Sequence, residues 1–320
     1  MSETAQRSTK AVRLANDVVN AIVLVAILLL LVFGCYALWD SRQVHSNASS
    51  KRYEVYKPTD ENEGVSFQEL QAINPETFSW LTVYGTHIDY PVVQGQSNLK
   101  YINTDAWGRH SLSGAIFLDR DCSKDFSDFP SIIYGHHMEK NTMFGEIGLF
   151  AQHEYFTSHR YGSLYYDARE HGLVFFAFVH ADAYDSSIFR TNIIESEQQA
   201  YLNMLLQVAT YTRDDVPVGV GDRIVLLSTC SSSSTNGRDI LIGKITDETY
   251  DDPFKTENTD KPHLLLIDAL SDLWAQAPLW VKAALVSLPF WLILLALVFT
   301  SNNEKRSQQE RGATGDRGGN

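Results

Sequence analysis

Cysteine is scarce in this chain, with three residues in 320. Three thiols cannot build the disulfide framework of a small secreted domain. A basic excess is missing too. Twenty-six Lys and Arg stand against 39 Asp and Glu, a formal charge of −13. That balance excludes an electrostatic nucleic-acid binder, whose phosphate affinity comes from clustered Lys and Arg. No internal repeat occurs, and no Cys, His and carboxylate set falls at zinc-ligand spacing. What the chain does have is 44% hydrophobic and 12% aromatic residues, too many for a disordered polymer. Much of that apolar content is gathered in two runs.

Ala21 to Leu38 and Ala283 to Thr300 are each 18 residues without a charge. Extended to residues 18–39 and 279–300, each predicts a membrane-spanning helix, since about 20 apolar residues cross a bilayer core. Trp280, Trp291 and Lys282 suit an interface, and Pro289 kinks such a helix without forbidding it. A cleaved signal peptide is the competing reading of the first run. Arg7, Lys10 and Arg13 suit it; the long apolar stretch and the missing small-residue cleavage site do not. Arg7, Lys10 and Arg13 before the first run, and Lys305, Arg306, Arg311 and Arg317 after the second, put both termini in the cytoplasm. Residues 40–278 then lie outside, with 18 basic and 34 acidic residues, a charge of 18 − 34 = −16.

The chain thus divides into a cytoplasmic tail 1–17, a span 18–39, a polar stalk 40–65, a domain 66–250, a linker 251–278, a span 279–300 and a second cytoplasmic tail 301–320. Ser66 to Glu69 reads as a capping box opening a short helix. Eight strand-like runs follow: 80–84, 88–93, 114–118, 131–134, 163–166, 173–179, 223–229 and 240–245. Short apolar runs separated by Gly, Pro, Asn and Asp predict a closed or nearly closed β-barrel, a mainly β fold with helices. Two helices interrupt it, at 143–150 and at 194–208, where Tyr201, Leu205 and Val208 share a face.

Cys230, a histidine pair and Arg238 are the candidates for chemistry. Cys230 ends the run Ile224 to Thr229 and opens into Ser231–Ser234. A lone Cys is more often a small buried hydrophobe, but a thiol at a strand's C-terminal end is open to substrate and needs little activation. The base candidates lie in Tyr134-Gly135-His136-His137-Met138. Adjacent histidines on a strand point to opposite faces and chelate poorly, so a metal pair is disfavoured. Arg238, eight residues after Cys230, can return on a hairpin beside the thiol. There it can serve an oxyanion or a peptide backbone; on its own it reads more readily as a surface salt-bridge partner.

Together, Tyr-Gly-His-His-Met, Leu-Ser-Thr-Cys and the following Arg resemble the signature of the sortases, Cys transpeptidases of Gram-positive cell surfaces. Ile73 to Glu76, Gly85 to Gln94, Gly114 to Asp119 and Asn141 to Phe144 are similar to class B members. The resemblance covers about residues 66–247. It implies the eight-stranded sortase barrel, here flanked by two transmembrane helices, with Cys230 as nucleophile, His136 as acid/base and Arg238 as transition-state arginine. It also implies substrate-groove roles for Asn98, Ile188, Phe189, Ser228 and Thr229. His137 is then a neighbour of the catalytic imidazole. No metal or organic cofactor is implied. The implied partners are secreted surface proteins with a C-terminal sorting signal, a peptidoglycan-precursor or pilin amine as acceptor, and the lipid bilayer. Two features depart from class B. A C-terminal span is commoner in class C, and the loop after Cys230 is all Ser where relatives place acids. The alternatives are another Cys/His peptidase or L,D-transpeptidase-like enzyme, opposed by the order of His136 and Cys230, and a surface adhesion module without catalysis.

Overall fold

The computed structural model describes residues 3–58, 65–139, 141–230 and 236–255. The expected second span at 279–300, most of the linker and the tail 301–320 lie outside the described residues, as does the Ser231–Ser234 loop. A first helix, α1 (Glu3–Ala48), contains Val18–Trp39, which is unburied and the one helix among the described residues long and apolar enough to cross a membrane.

The polar segment after it does not behave as a free stalk throughout. Helix α1 runs on to Ala48, and two 3₁₀ turns, Ser50–Arg52 and Glu54–Tyr56, follow. Ala48 and Tyr53 are buried. Tyr90 donates its hydroxyl proton to the Ala48 carbonyl at 2.8 Å, and Tyr53 stacks on Trp107 with ring centroids 4.2 Å apart. The guanidinium carbons of Arg52 and Arg109 lie 4.8 and 4.4 Å from the same indole centroid. Polar neighbours hid this aromatic anchor in a one-dimensional reading. Residues 59–64 lie outside the described set. Helix α2 spans Val65–Ile73, so a short helix forms at the expected place with Ser66 inside it.

Eight strands form the barrel: β1 (Thr77–Val83), β2 (Asp89–Val93), β3 (Ile116–Leu118), β4 (Ser131–Tyr134), β5 (Tyr161–Tyr166), β6 (Arg169–Asp182), β7 (Arg223–Cys230) and β8 (Gly237–Thr246). Their order is β8-β7-β4-β3-β2-β1-β5-β6, and pairing of β6 with β8 closes the ring. Each of the eight expected runs is one of these strands, with ends moved by up to four residues. The pairs β2–β3 and β4–β7 are parallel; the others are antiparallel.

Strand β7 reads Ile-Val-Leu-Leu without alternation because both of its faces are covered. Val225 and Leu227 point into the barrel with Leu241, Phe175 and Phe178. Ile224 and Leu226 point outward, with Ile240 and Ile242, against Tyr201, Leu202 and Leu205 of helix α4 (Glu195–Val208). Helix α4 thus forms where its apolar stripe was expected. Each fully buried side chain on that stripe contributes about 1.5–3 kcal/mol of transfer free energy.

Two further features differ from the expectations. A ninth strand, Ala209–Thr212, extends the sheet along β6; it is short and polar on alternate residues, so it carried no apolar signal. Residues 143–150 do not form one helix. His137–Met138 and Thr142–Met143 make a two-residue ladder, a 3₁₀ turn spans Ile147–Ala151, and a short α3 (His153–Ser158) follows. Gly145 explains the break. A Cβ there would strike the Met138 carbonyl, so the chain folds back tightly on itself.

Candidate active site

Register brings the three candidate residues, Cys230, His136 and Arg238, to one end of adjacent strands. In the parallel β4–β7 pair, Tyr134 lies beside Ser228, and Gly135 N–H continues the ladder with a bond to the Ser228 carbonyl at 3.1 Å. His136 follows at the strand end, as Cys230 follows Ser228 two residues on. In the antiparallel β7–β8 pair, Cys230 is directly opposite Arg238. Directly opposed residues share a face of the sheet. Parity from Leu226 and Ile240 puts both on the outward, α4-bearing face. Cys230 therefore terminates the middle strand, with the His136 strand on one side and the Arg238 strand on the other.

Gly135 is required at this point. A Cβ there would lie 2.5 Å from Ile116 Cδ1 and 2.7 Å from the Phe144 ring, both buried. His136 itself is half-buried, with its carbonyl accepting from Phe144 N–H at 3.0 Å and its Nε2 2.9 Å from the Ile102 carbonyl oxygen. His137 belongs to the small ladder, and its buried Nδ1 has no partner among the described residues. Arg238 is half-buried and donates through Nη1 to the Gly237 carbonyl at 3.0 Å. Among the described residues no carboxylate pairs with it.

The thiols separate cleanly. Cys230 is exposed, whereas Cys122 is buried and its thiol is pushed up to about 12, chiefly by burial. A thiol in that environment stays protonated and unreactive at neutral pH. Cys35 lies on the apolar part of α1. No group of three His, Cys, Asp or Glu suited to a metal occurs among the described residues.

No family model matches the chain. Sortase B of Listeria monocytogenes is 30% identical over 181 residues, which span 56% of this chain and 73% of that protein. The crystal structure of sortase B from the type II pilus of Streptococcus pneumoniae is 48% identical, covering 57% of this chain and 99% of that one at a TM-score of 0.50. The Staphylococcus aureus sortase B–substrate complex is 26% identical, covering 66% of this chain and all of its own, 100%, at a TM-score of 0.59. The chain belongs to the class B sortases. It is therefore a cysteine transpeptidase with the eight-stranded sortase barrel.

In this sortase the expected groove residues occupy different environments. Asn98 donates to Asp119 Oδ2 at 2.9 Å and accepts from Arg120 N–H at 2.8 Å. Tyr134 donates its hydroxyl to the same Asp119 oxygen at 3.2 Å. Asn98 thereby ties the loop after β2 to the end of β3. Burial, and then the Asp119 charge, push the Tyr134 phenol far above its ordinary value, so it stays protonated as that donor. Ile188 is 2% exposed and packs in the layer under α4, its carbonyl accepting from Tyr201 Oη at 2.6 Å. Of the Ile188–Phe189 pair, only half-buried Phe189 has surface to offer. Ser228 and Thr229 are buried, and their hydroxyls have no partner among the described residues.

Sequence reasoning passed over one pair at the same barrel end. Asp239, opposite Thr229 on the inward face, is buried and lies 2.8 Å from His180 Nδ1 on β6. Only the position of Asp239 beside Arg238 hinted at it, and His180 carried no motif. The Ile102 carbonyl was also missed, since a backbone group leaves no trace in composition.

Proposed function

We propose that this sortase cleaves the C-terminal sorting signal of secreted surface proteins after Thr, with Cys230, His136 and Arg238 as its catalytic residues. The Cys230 thiolate attacks the Thr carbonyl carbon, forming an S–C bond. The C–N bond to the leaving peptide breaks as His136 gives its proton to the departing amine. An acceptor amine then loses a proton to His136 and forms the new amide bond while the S–C bond breaks. Arg238 holds the oxyanion at each tetrahedral stage, where a donor of this kind typically contributes about 10²–10³ in rate. Two-step acyl transfer of this sort is what a covalent nucleophile provides. The register that sets Cys230 between the strands of His136 and Arg238 is the observation that carries the reading.

The signal is of the Asn-Pro-x-Thr type in this reading, and the acceptor is an amine of a pilin or a peptidoglycan precursor. The similar Streptococcus pneumoniae protein comes from a type II pilus, and a similar Streptococcus pyogenes class B sortase is involved in pilus biogenesis. Those likenesses support a pilin acceptor. Residues 18–39 and 279–300 anchor the chain with both termini in the cytoplasm, and residues 66–250 are the catalytic domain outside. Confinement at the outer leaflet raises the effective concentration of a secreted substrate. Ser228, Thr229, Asn98, Ile188 and Phe189 line or support the substrate groove. A cleavage assay with Asn-Pro-x-Thr and Leu-Pro-x-Thr-Gly peptides tests the reading. Cleavage after Thr in the first set is expected, and cleavage of neither set overturns it.

A further inference from the structure

A carbonyl oxygen has lone pairs and no proton, so its hydrogen-bond partner must donate. The 2.9 Å contact between His136 Nε2 and the Ile102 carbonyl oxygen therefore requires the imidazole proton on Nε2. A neutral imidazole carries one N–H, which leaves the free lone pair on Nδ1. We infer that the Ile102 carbonyl is a positioning group that holds neutral His136 as its Nε2–H tautomer, making Nδ1 the nitrogen that moves protons at the thiol. This deepens, and rests on, the acid/base role of His136 stated above.

The carbonyl is held on both sides. Ile102 ends the 3₁₀ turn Lys100–Ile102, and the preceding Tyr101 is fully buried. Tyr101 donates its hydroxyl to Glu76 Oε2 at 2.5 Å, and its carbonyl accepts from Ala115 N–H at 3.0 Å. On the far side, Ser111 N–H bonds the Asn103 carbonyl at 3.0 Å, and Thr104 bridges to His110. The space in which the Ile102 carbonyl turns is left by Gly114. Its φ is +60°, and a Cβ there would lie 2.7 Å from the Ile102 oxygen and closer still to that of Tyr101. Gly114 is thus a second positioning residue, acting on His136 through a backbone oxygen.

The proton steps balance. The Cys230 S–H bond breaks as an Nδ1–H bond forms, giving a thiolate and an imidazolium. The Nδ1–H bond then breaks as the leaving amine gains its proton. Throughout, Nε2–H stays on the Ile102 oxygen. That bond strengthens when the ring is charged, because charge-assisted donors bind more tightly.

The test is imidazole ¹⁵N–¹H correlation on the full-length chain in detergent, with ¹⁵N-labelled histidine and His136→Gln to identify the His136 signals. The two-bond coupling pattern of the neutral ring should be that of the Nε2–H tautomer. A Nδ1–H pattern, or an even mixture, would overturn the inference. Gly114→Ala should mix the tautomers and lower kcat on a cleaved signal peptide by tenfold or more, with KM changed less than threefold. A folded Gly114→Ala chain with unchanged tautomer would sink the role of Gly114, whatever its activity. If that variant does not fold, the unsubstituted chain still decides the tautomer. Failure to cleave any signal peptide, with the Nε2–H tautomer present, would count against the catalytic reading and not against this one.

Discussion

Gly135→Ala should damage both the fold and the site, by amounts that the local geometry sets. The added methyl would meet Ile116 Cδ1 at 2.5 Å and the Phe144 ring at 2.7 Å. Both neighbours are within 1% of complete burial, so neither can swing into solvent. Overpacking of this kind costs about 1–3 kcal/mol. The Ile116 methyl is the end of a flexible chain and can yield, whereas the Phe144 ring is wedged, which points to about 2 kcal/mol. In a domain of this size each kcal/mol moves the thermal midpoint by roughly 2–4 °C, so a fall of about 4–8 °C is expected. Catalysis should suffer as well, because Phe144 N–H bonds the His136 carbonyl and a displaced ring carries that histidine with it.

The cause can be isolated with a second substitution. Ile116→Val removes the methyl nearest to the intruding Cβ and alone costs about 0.5–1.5 kcal/mol. In the double variant the new methyl occupies the space vacated, so the two costs should fall short of their sum by about 1 kcal/mol. Urea and thermal unfolding of the four proteins measure this coupling. Additivity within about 0.3–0.5 kcal/mol would show that the steric argument for Gly135 is wrong, as would a Gly135→Ala protein with an unshifted midpoint.

Two further outcomes follow from buried groups. His171 is fully enclosed and stacked on Tyr166 at 4.0 Å, and burial, its largest influence, lowers its pKa from the ordinary value. Its depressed native pKa means that the unfolded chain takes up the proton first as pH falls through about 6.5. Stability present at pH 7 should therefore drain away below that point, with a slope of up to about 1.4 kcal/mol per pH unit until the native pKa is reached. His171→Phe should flatten that part of the profile in unfolding measured from pH 7.5 to 5; an unchanged slope would show that His171 does not drive it. Cys122→Ser should retain peptide-cleaving activity, and alkylation at neutral pH should label Cys230 and spare Cys122. Mass spectrometry of the labelled chain reads both sites, and preferential labelling of Cys122 would contradict the burial argument.

The central strands β3 and β7 were legible because both of their faces are buried, so they stand out as unbroken apolar runs. The run Ile224–Leu227 owes this to the stripe of Tyr201, Leu202 and Leu205 lying over it. The edge strand Ala209–Thr212 was invisible for the opposite reason: half of its side chains face water. Residues 143–150 contain enough apolar side chains for a helix, yet the tight approach of Gly145 to the Met138 carbonyl cannot be foreseen from composition. At the proposed site, the strand-end positions of His136, Cys230 and Arg238 were legible because each lies in a recognisable motif. The contacts that orient His136 were not, because the Ile102 carbonyl belongs to every residue type alike. Tyr53 was obscured by polar neighbours, and only the three-dimensional fold brings Trp107 beneath it.

The central claim is that Cys230 carries the acyl group, and capture of the intermediate tests it most directly. The full-length enzyme would be mixed with an Asn-Pro-x-Thr peptide, quenched in acid and analysed by intact-mass and peptide-level spectrometry. The expected product is a thioester on Cys230 whose mass is that of the fragment ending in Thr, lost in Cys230→Ala and released by an added amine. Equal peptide cleavage by Cys230→Ala, or an acyl group found on any other residue, would contradict it.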